Sequence, residues 1–162
     1  MKHKIFSLTS LLVLVMLFAA CTPQSVATET PDIASDNSTE PTPVVQGDPT
    51  EAQARLIKDL SAAGADVELG DSVEQAFFIV KGRILRVNGA DVQVFEYESA
   101  EAMEADAAQV SPDGGSIGTS MVMWVETPHF FKSGDMLVLY VGEDTAVLDL
   151  LKGALGEQFA GR

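Results

Sequence analysis

Phe77-Phe78-Ile79-Val80-Lys81-Gly82-Arg83-Ile84-Leu85-Arg86-Val87-Asn88-Gly89-Ala90-Asp91-Val92-Gln93-Val94-Phe95-Glu96-Tyr97 is the stretch that decides the fold. Two runs rich in β-branched and aromatic residues, 77–87 and 92–97, flank Asn88-Gly89. Asn-Gly readily takes positive φ at both central positions of a tight turn, and the twist of that turn matches the twist of the strands it joins. The stretch therefore reads as a β-hairpin, and so short a connection permits only antiparallel pairing.

Outward from the hairpin, Ser99 caps a helix running to Val110, which Ser111-Pro112-Asp113-Gly114-Gly115 ends. Residues 117–125, 129–132 and 136–141 read as strands of a meander, separated by turns at Glu126-Thr127-Pro128 and Ser133-Gly134-Asp135. Asp144 caps a last helix with Val147, Leu148, Leu151 and Leu155 on one face and Gly156 as its stop. Before the hairpin, residues 65–69 alternate apolar and acidic as a half-buried strand does. A first helix precedes them, with Leu56, Ile57, Leu60 and Ala63 on one face. Asp48 serves as its cap, Pro49 as its first residue and Glu51 as the capping-box partner.

The order helix, strands, helix, strands, helix implies an α+β fold, an antiparallel sheet with helices packed on one face. Hairpin followed by helix occurs twice, over 77–110 and 117–156, so the domain also reads as two ββα-type units preceded by an N-terminal helix. Aligning 92–103 on 136–147 leaves only two identities, Val94 with Val138 and Ala102 with Ala146.

The chain has 162 residues, enough for one ordinary domain, and sets 24 Asp and Glu against ten Lys and Arg for a net charge of −14. So acidic a chain is not expected to bind nucleic acid, a polyanion that must be neutralised by cations. One cysteine, Cys21, excludes intramolecular disulfides and multi-cysteine metal sites.

Residues 1–21 carry Lys2 and Lys4, then an uncharged apolar run closing in Phe18-Ala19-Ala20-Cys21, the layout of a secretory signal. The run is shorter than the roughly 20 residues a bilayer span needs, and no basic cluster follows it. Leu17-Phe18-Ala19-Ala20-Cys21 resembles the lipobox of bacterial lipoproteins. The resemblance covers this leader alone and departs from the family pattern in having Phe18 three places before the cysteine, where an aliphatic residue is usual. It implies that Cys21 is lipidated, becomes the mature N-terminus and carries diacylglyceryl and N-acyl (palmitate-type) chains, the two-signal anchoring that holds a protein stably to a membrane. Residue 22 is Thr rather than the Asp that in this family retains proteins at the inner membrane, so the expected address is the cell envelope, facing outside the cytoplasm.

Residues 22–47 follow as a tether rich in Thr, Pro and Ser, with acidic residues, no Lys or Arg and no aromatic. Such a composition cannot bury enough apolar surface to offset its conformational entropy and is expected to be disordered. Its 26 residues would reach roughly 28 Å as a flexible coil and roughly 80 Å when extended. Residues 48–162 form the single acidic domain. Loss of the leader removes two basic residues and no acidic one, leaving eight against 24.

No residue set specifies a reaction. Gly114-Gly115-Ser116-Ile117-Gly118 matches G-x-S-x-G, but the nucleophile elbow needs a strand before the serine and a helix after it, and the order here is the reverse. His129 lacks the cysteines or further histidines of a zinc site. Asp66, Glu68 and Asp71 do not follow the calcium-loop pattern, and Asp66 and Glu68 project from the same side of a strand, a solvated face. No cofactor and no metal are expected.

The aromatic residues are the informative set. Phe77, Phe78, Trp124, His129, Phe130 and Phe131 form the candidate interaction surface, because Phe77-Phe78 and Phe130-Phe131 each place rings on both faces of the sheet and helices on one face would leave the others outward. The sequence is thus read as a lipid-anchored envelope protein whose domain is a non-enzymatic binding or interaction module for an envelope protein or a small apolar ligand. A small extracytoplasmic hydrolase and a structural component of an envelope complex are the alternatives.

Overall fold

The computed structural model describes residues 47–162. The leader with its lipobox-like end and Cys21, and residues 22–46 of the tether, lie outside the described residues. No helix among the described residues is long and apolar enough to cross a membrane.

The elements are α1 (Glu51–Ala62), β1 (Val67–Val73), β2 (Gly82–Val87), β3 (Ala90–Glu96), α2 (Ala100–Ala107), β4 (Ser116–Ile117), β5 (Ser120–Met121), β6 (Pro128–Ser133), β7 (Met136–Val141), α3 (Thr145–Leu155) and β8 (Ala160–Gly161). Six strands form one antiparallel sheet in the order β1-β2-β3-β7-β6-β8, and β4 and β5 pair separately. The domain is α+β, built on an antiparallel sheet.

The β2–β3 hairpin turns at Asn88 (φ 52°) and Gly89 (φ 84°), with Val87 opposite Ala90. Asn88 also fixes the turn to the start of β1: its side-chain oxygen accepts from the Asp66 amide at 2.9 Å and its own amide donates to the Asp66 carbonyl at 2.8 Å. A Cβ on Gly89 would meet nothing within 4 Å. Gly89→Ala is therefore expected to cost only the backbone penalty of positive φ, about 1–2 kcal/mol, read from the midpoint of urea unfolding.

The first strand of this hairpin starts at Gly82, five residues later than the apolar run implies. Phe77 and Phe78 lie in a turn closed by the Phe78 amide on the Gln75 carbonyl at 3.1 Å. The Ile79 amide is drawn away to the Asp106 carboxylate at 3.1 Å, so the chain enters the sheet only where Phe95 closes over Gly82. Helix α1 likewise begins two residues later than an Asp48 cap and a Pro49 start imply: Thr50 is the cap, with Gln53 as its capping-box partner, and its hydroxyl donates to Glu96 at 2.5 Å. Glu51 is therefore the first helical residue and not the box partner.

The helices do not share one face. α1 and α3 cover one side of the sheet, where Leu56, Leu60, Val147 and Leu151 pack on Val92, Val94, Phe131 and Val138. α2 and the β4 strand cover the other, where Met103, Ala107 and Ile117 pack on Phe95, Phe130, Leu137 and Leu139. The cause is visible in β7: Met136-Leu137-Val138-Leu139-Tyr140-Val141 has no polar residue on either side, as in a strand buried on both faces. Hairpin and helix do recur as two units in chain order, β2-β3-α2 and β6-β7-α3. A two-fold axis exchanging the antiparallel neighbours β3 and β7 would be normal to the sheet and would keep both helices on one side. With α2 and α3 on opposite sides, the repetition is confined to the hairpins.

Candidate functional site

The segment after β4 carries three of the four large apolar side chains left exposed among the described residues. The sequence reads 117–125 as one strand. Instead the chain turns at Gly118 (φ 58°), pairs briefly as β5 against β4, and runs on without strand pairing to Pro128. Extended backbone alternates its side chains, and here both sets are apolar. Val122 and Trp124 turn inward to the second core, whereas Met121, Met123 and Val125 are 91%, 97% and 93% exposed.

Trp124 holds this segment down. Its indole N–H donates to the Gly114 carbonyl at 2.7 Å, and its ring stands edge-on to Phe130 at 5.9 Å and to Phe77 at 6.0 Å. Phe77 in turn meets Phe78 at 4.9 Å, and Phe78 meets Phe95 at 4.8 Å. Edge-to-face pairs of this kind favour a fixed arrangement. Two residues beyond Phe77, Ile79 is 77% exposed.

Beside the ridge lies an open groove of about 470 Å³ lined by Trp124, Val125 and three acidic residues, Asp113, Glu126 and Glu143. Its cation, Arg162, stands 3.6 Å from Asp113. The Gly115 amide, followed by the Ser111 hydroxyl, holds the Asp113 carboxyl below the usual carboxylate range. Glu143 accepts from Thr127 Oγ1 at 3.1 Å. The groove is acidic on a domain that sets 20 acidic residues against eight basic ones over 47–162.

The six residues of the predicted surface separate. Phe77 and Trp124 are half-buried and meet at the ridge; Phe78, His129, Phe130 and Phe131 are buried. Phe130 and Phe131 do point to opposite sides of the sheet, but both sides are covered, so each ring is core. The sequence reading misses Met121, Met123 and Val125. Their signal is five consecutive apolar residues, 121–125, in an extended stretch that has only one inner side to bury.

The His129 ring is engaged structurally. His129 stacks on Tyr140 at 6.0 Å, and its ring nitrogens lie 2.8 Å from Gln158 Oε1 and 3.1 Å from the Gly142 carbonyl. Ser116 sits in β4, followed by the tight turn at Gly118 and not by a helix, and its amide donates to Ser111 Oγ at 2.9 Å. The backbone setting of a nucleophile elbow is therefore lacking. Among the described residues, no three His, Cys, Asp or Glu side chains are placed to hold a metal ion.

Compared with protein-family models, curated proteins and solved structures, the chain matches none of them.

Proposed function

We propose that this chain is a lipid-anchored envelope protein, facing outside the cytoplasm, whose domain is a non-enzymatic interaction module. The exposed ridge of Met121, Met123 and Val125 carries the proposal. Three large apolar side chains in a row, nearly fully exposed on a well-packed domain, give up burial that the fold could otherwise use. Contiguous apolar exposure of this kind marks contact sites, and flexible Met side chains suit an adaptable one. The lipobox-like end at Cys21 supports the anchor, and the length and composition of residues 22–47 support display of the domain away from the headgroups.

A photo-crosslinking residue placed at position 123 of the full chain, in the cells that make it, is expected to yield a discrete protein adduct. The same group at the exposed Lys58 of α1 is expected to yield none. Changing Met121 and Val125 to Ser should remove the adduct while leaving urea unfolding within about 0.5 kcal/mol, since exposed positions contribute little to stability. Adducts equal at 123 and 58 would end the proposal of a binding ridge. In parallel, palmitate labelling that survives Cys21→Ala would end the proposal of the anchor.

A further inference from the structure

From the backbone of the same ridge, and resting on the proposal that the ridge binds, we infer that its partner is an extended cationic polypeptide segment that adds as a strand along the free edge of β5. The direction of the peptide groups leads to this assignment. In an antiparallel strand the N–H and C=O of one residue point to the same side, and those of the next residue to the other. The Val122 amide donates to the Gly115 carbonyl at 3.0 Å, so the peptide groups of Val122 face β4 and those of Met121 and Met123 face away from it. β4 has no free edge to offer, because its other side is taken: the Ser111 amide donates to the Ser116 carbonyl at 2.8 Å, and Val110 bridges Ile117. β5 is thus the outer strand of a small three-stranded arrangement. From Met123 to Glu126, no backbone amide has a hydrogen-bond partner among the described residues.

An extended edge with unpaired peptide groups and outward apolar side chains is a template for strand addition: the main chain supplies the bonds and alternate side-chain positions supply selectivity. Native domains usually protect such an edge with Lys, Pro or an inward charge. Residues 120–125 carry none of these.

Charge selects the occupant. Glu126 and Glu143 line the groove at the Val125 end of the ridge, Asp113 in that groove is already engaged with Arg162, and the domain as a whole is strongly acidic, with 20 acidic residues against eight basic ones over 47–162. A second copy would bring another such domain against the first, and residues 22–47 are acidic too, so both are disfavoured. A segment alternating apolar residues with Lys or Arg has the opposite character. Its backbone would pair with Met121 and Met123, its apolar side chains would lie against the ridge, and its cations beyond Met123 would meet Glu126 and Glu143 at the Val125 end.

The test uses the full chain and an acetylated, amidated ten-residue peptide alternating lysine and valine, labelled for fluorescence anisotropy. Saturable binding is expected, with none for the glutamate-valine counterpart and none for a lysine-valine peptide methylated on alternate backbone amides. Met123→Pro removes an amide that has no partner within the domain, and it should weaken binding about tenfold, the effect of a lost ladder bond. Glu126→Gln with Glu143→Gln should weaken it several-fold at low salt and little at high salt, where exposed charges are screened. Binding that tolerates the methylated peptide and Met123→Pro would overturn strand addition and leave a charge contact only. Equal binding of both peptides would overturn the cationic assignment. No saturation with the cationic peptide overturns the inference as a whole. A dimer that Met123→Pro dissolves would show a second copy on the edge, and vesicle binding lost with the Met121 and Val125 changes would show a lipid surface there; either result overturns the inference. Any of these results leaves the crosslinking test of the binding ridge standing on its own.

Discussion

Replacing Phe130 with Ala is expected to cost the domain about 3–5 kcal/mol, the range for truncating a buried aromatic ring. Phe130 has no exposed surface and sits where the second core closes: Trp124 stands edge-on to it at 5.9 Å, Phe159 lies at 6.1 Å, and Leu137, Leu139 and Ile117 belong to the same cluster. Removing the ring leaves a cavity walled by the sheet on one side and the β4–β5 segment on the other. Neither wall collapses readily, because Trp124 is tied to Gly114 and the strand is paired on both sides, to β7 and β8. Urea unfolding of Phe130→Ala beside Val125→Ser checks this, since the exposed Val125 change is expected to stay within about 0.5 kcal/mol. A Phe130→Ala protein within about 1 kcal/mol of the parent would mean that the second core does not depend on this ring. The same substitution would be a poor probe of binding, because it disturbs the framework beneath the ridge.

The second large effect is expected at Asp106, which is 3% exposed in α2. One carboxylate oxygen accepts from the Ile79 amide at 3.1 Å and the Tyr97 hydroxyl at 3.0 Å, and the other accepts from Gln109 Nε2 at 2.9 Å. This group fastens the 74–81 loop to the helix, and with it the ring chain from Phe77 to Trp124. Asp106→Ala strands a buried hydroxyl and a backbone amide together, at about 1–3 kcal/mol for each unsatisfied group. Tyr97→Phe removes one donor and should cost about 1 kcal/mol. The two variants also differ in pH dependence. Burial, then the hydrogen bond to Asp106 and its charge, push the Tyr97 phenol well above its usual value of 10.0. The folded protein therefore keeps a proton that the unfolded chain releases above about pH 10, so stability falls as pH rises past that point. Tyr97→Phe has no phenol there to ionise. Its deficit against the parent should be full at about pH 8 and shrink by about pH 11; a deficit that stays constant would show that the phenol ionises freely in the folded state.

The legibility of this chain divides along the range of the interactions involved. Asn88-Gly89, the Ser99 cap and the Asp144 cap act within a few residues of themselves, and each stands where its local chemistry puts it. The cap of α1 is Thr50 for a reason that is also local, the reciprocal capping box it forms with Gln53, and its hydroxyl then reaches Glu96, a residue 46 positions away. The start of β2 moves to Gly82 because Asp106, 27 positions from Ile79, competes for the backbone. Phe77-Phe78 has strong strand character, and a distant carboxylate outweighs it.

The burial of Phe78, His129, Phe130 and Phe131 has a related origin. Alternation tells which residues share a side of a strand and does not tell what lies over that side. Phe130 and Phe131 are correctly opposed, yet only the path of α2 and β4 across the second face makes Phe130 core. The unbroken apolar run of β7 already points to a sheet covered on both sides, because a solvent-facing side would carry polar residues. The ridge is harder to find: in 121–125 both parities are apolar, and which one is left outside depends on the indole of Trp124 bonding to Gly114.

By itself the sequence determined the three helices, the β2–β3 and β6–β7 hairpins with their antiparallel pairing, the α+β class and the acidity, all of which follow from periodicity, turn chemistry and composition read over neighbouring residues. Only the tertiary structure decided which side each helix covers, that Phe130, Phe131 and His129 are interior, and that Met121, Met123 and Val125 stand outside beside an acidic groove. The physical reason is that burial belongs to pairs of surfaces: a side chain's periodicity assigns it to a face, and its exposure is settled by whatever distant segment packs against that face.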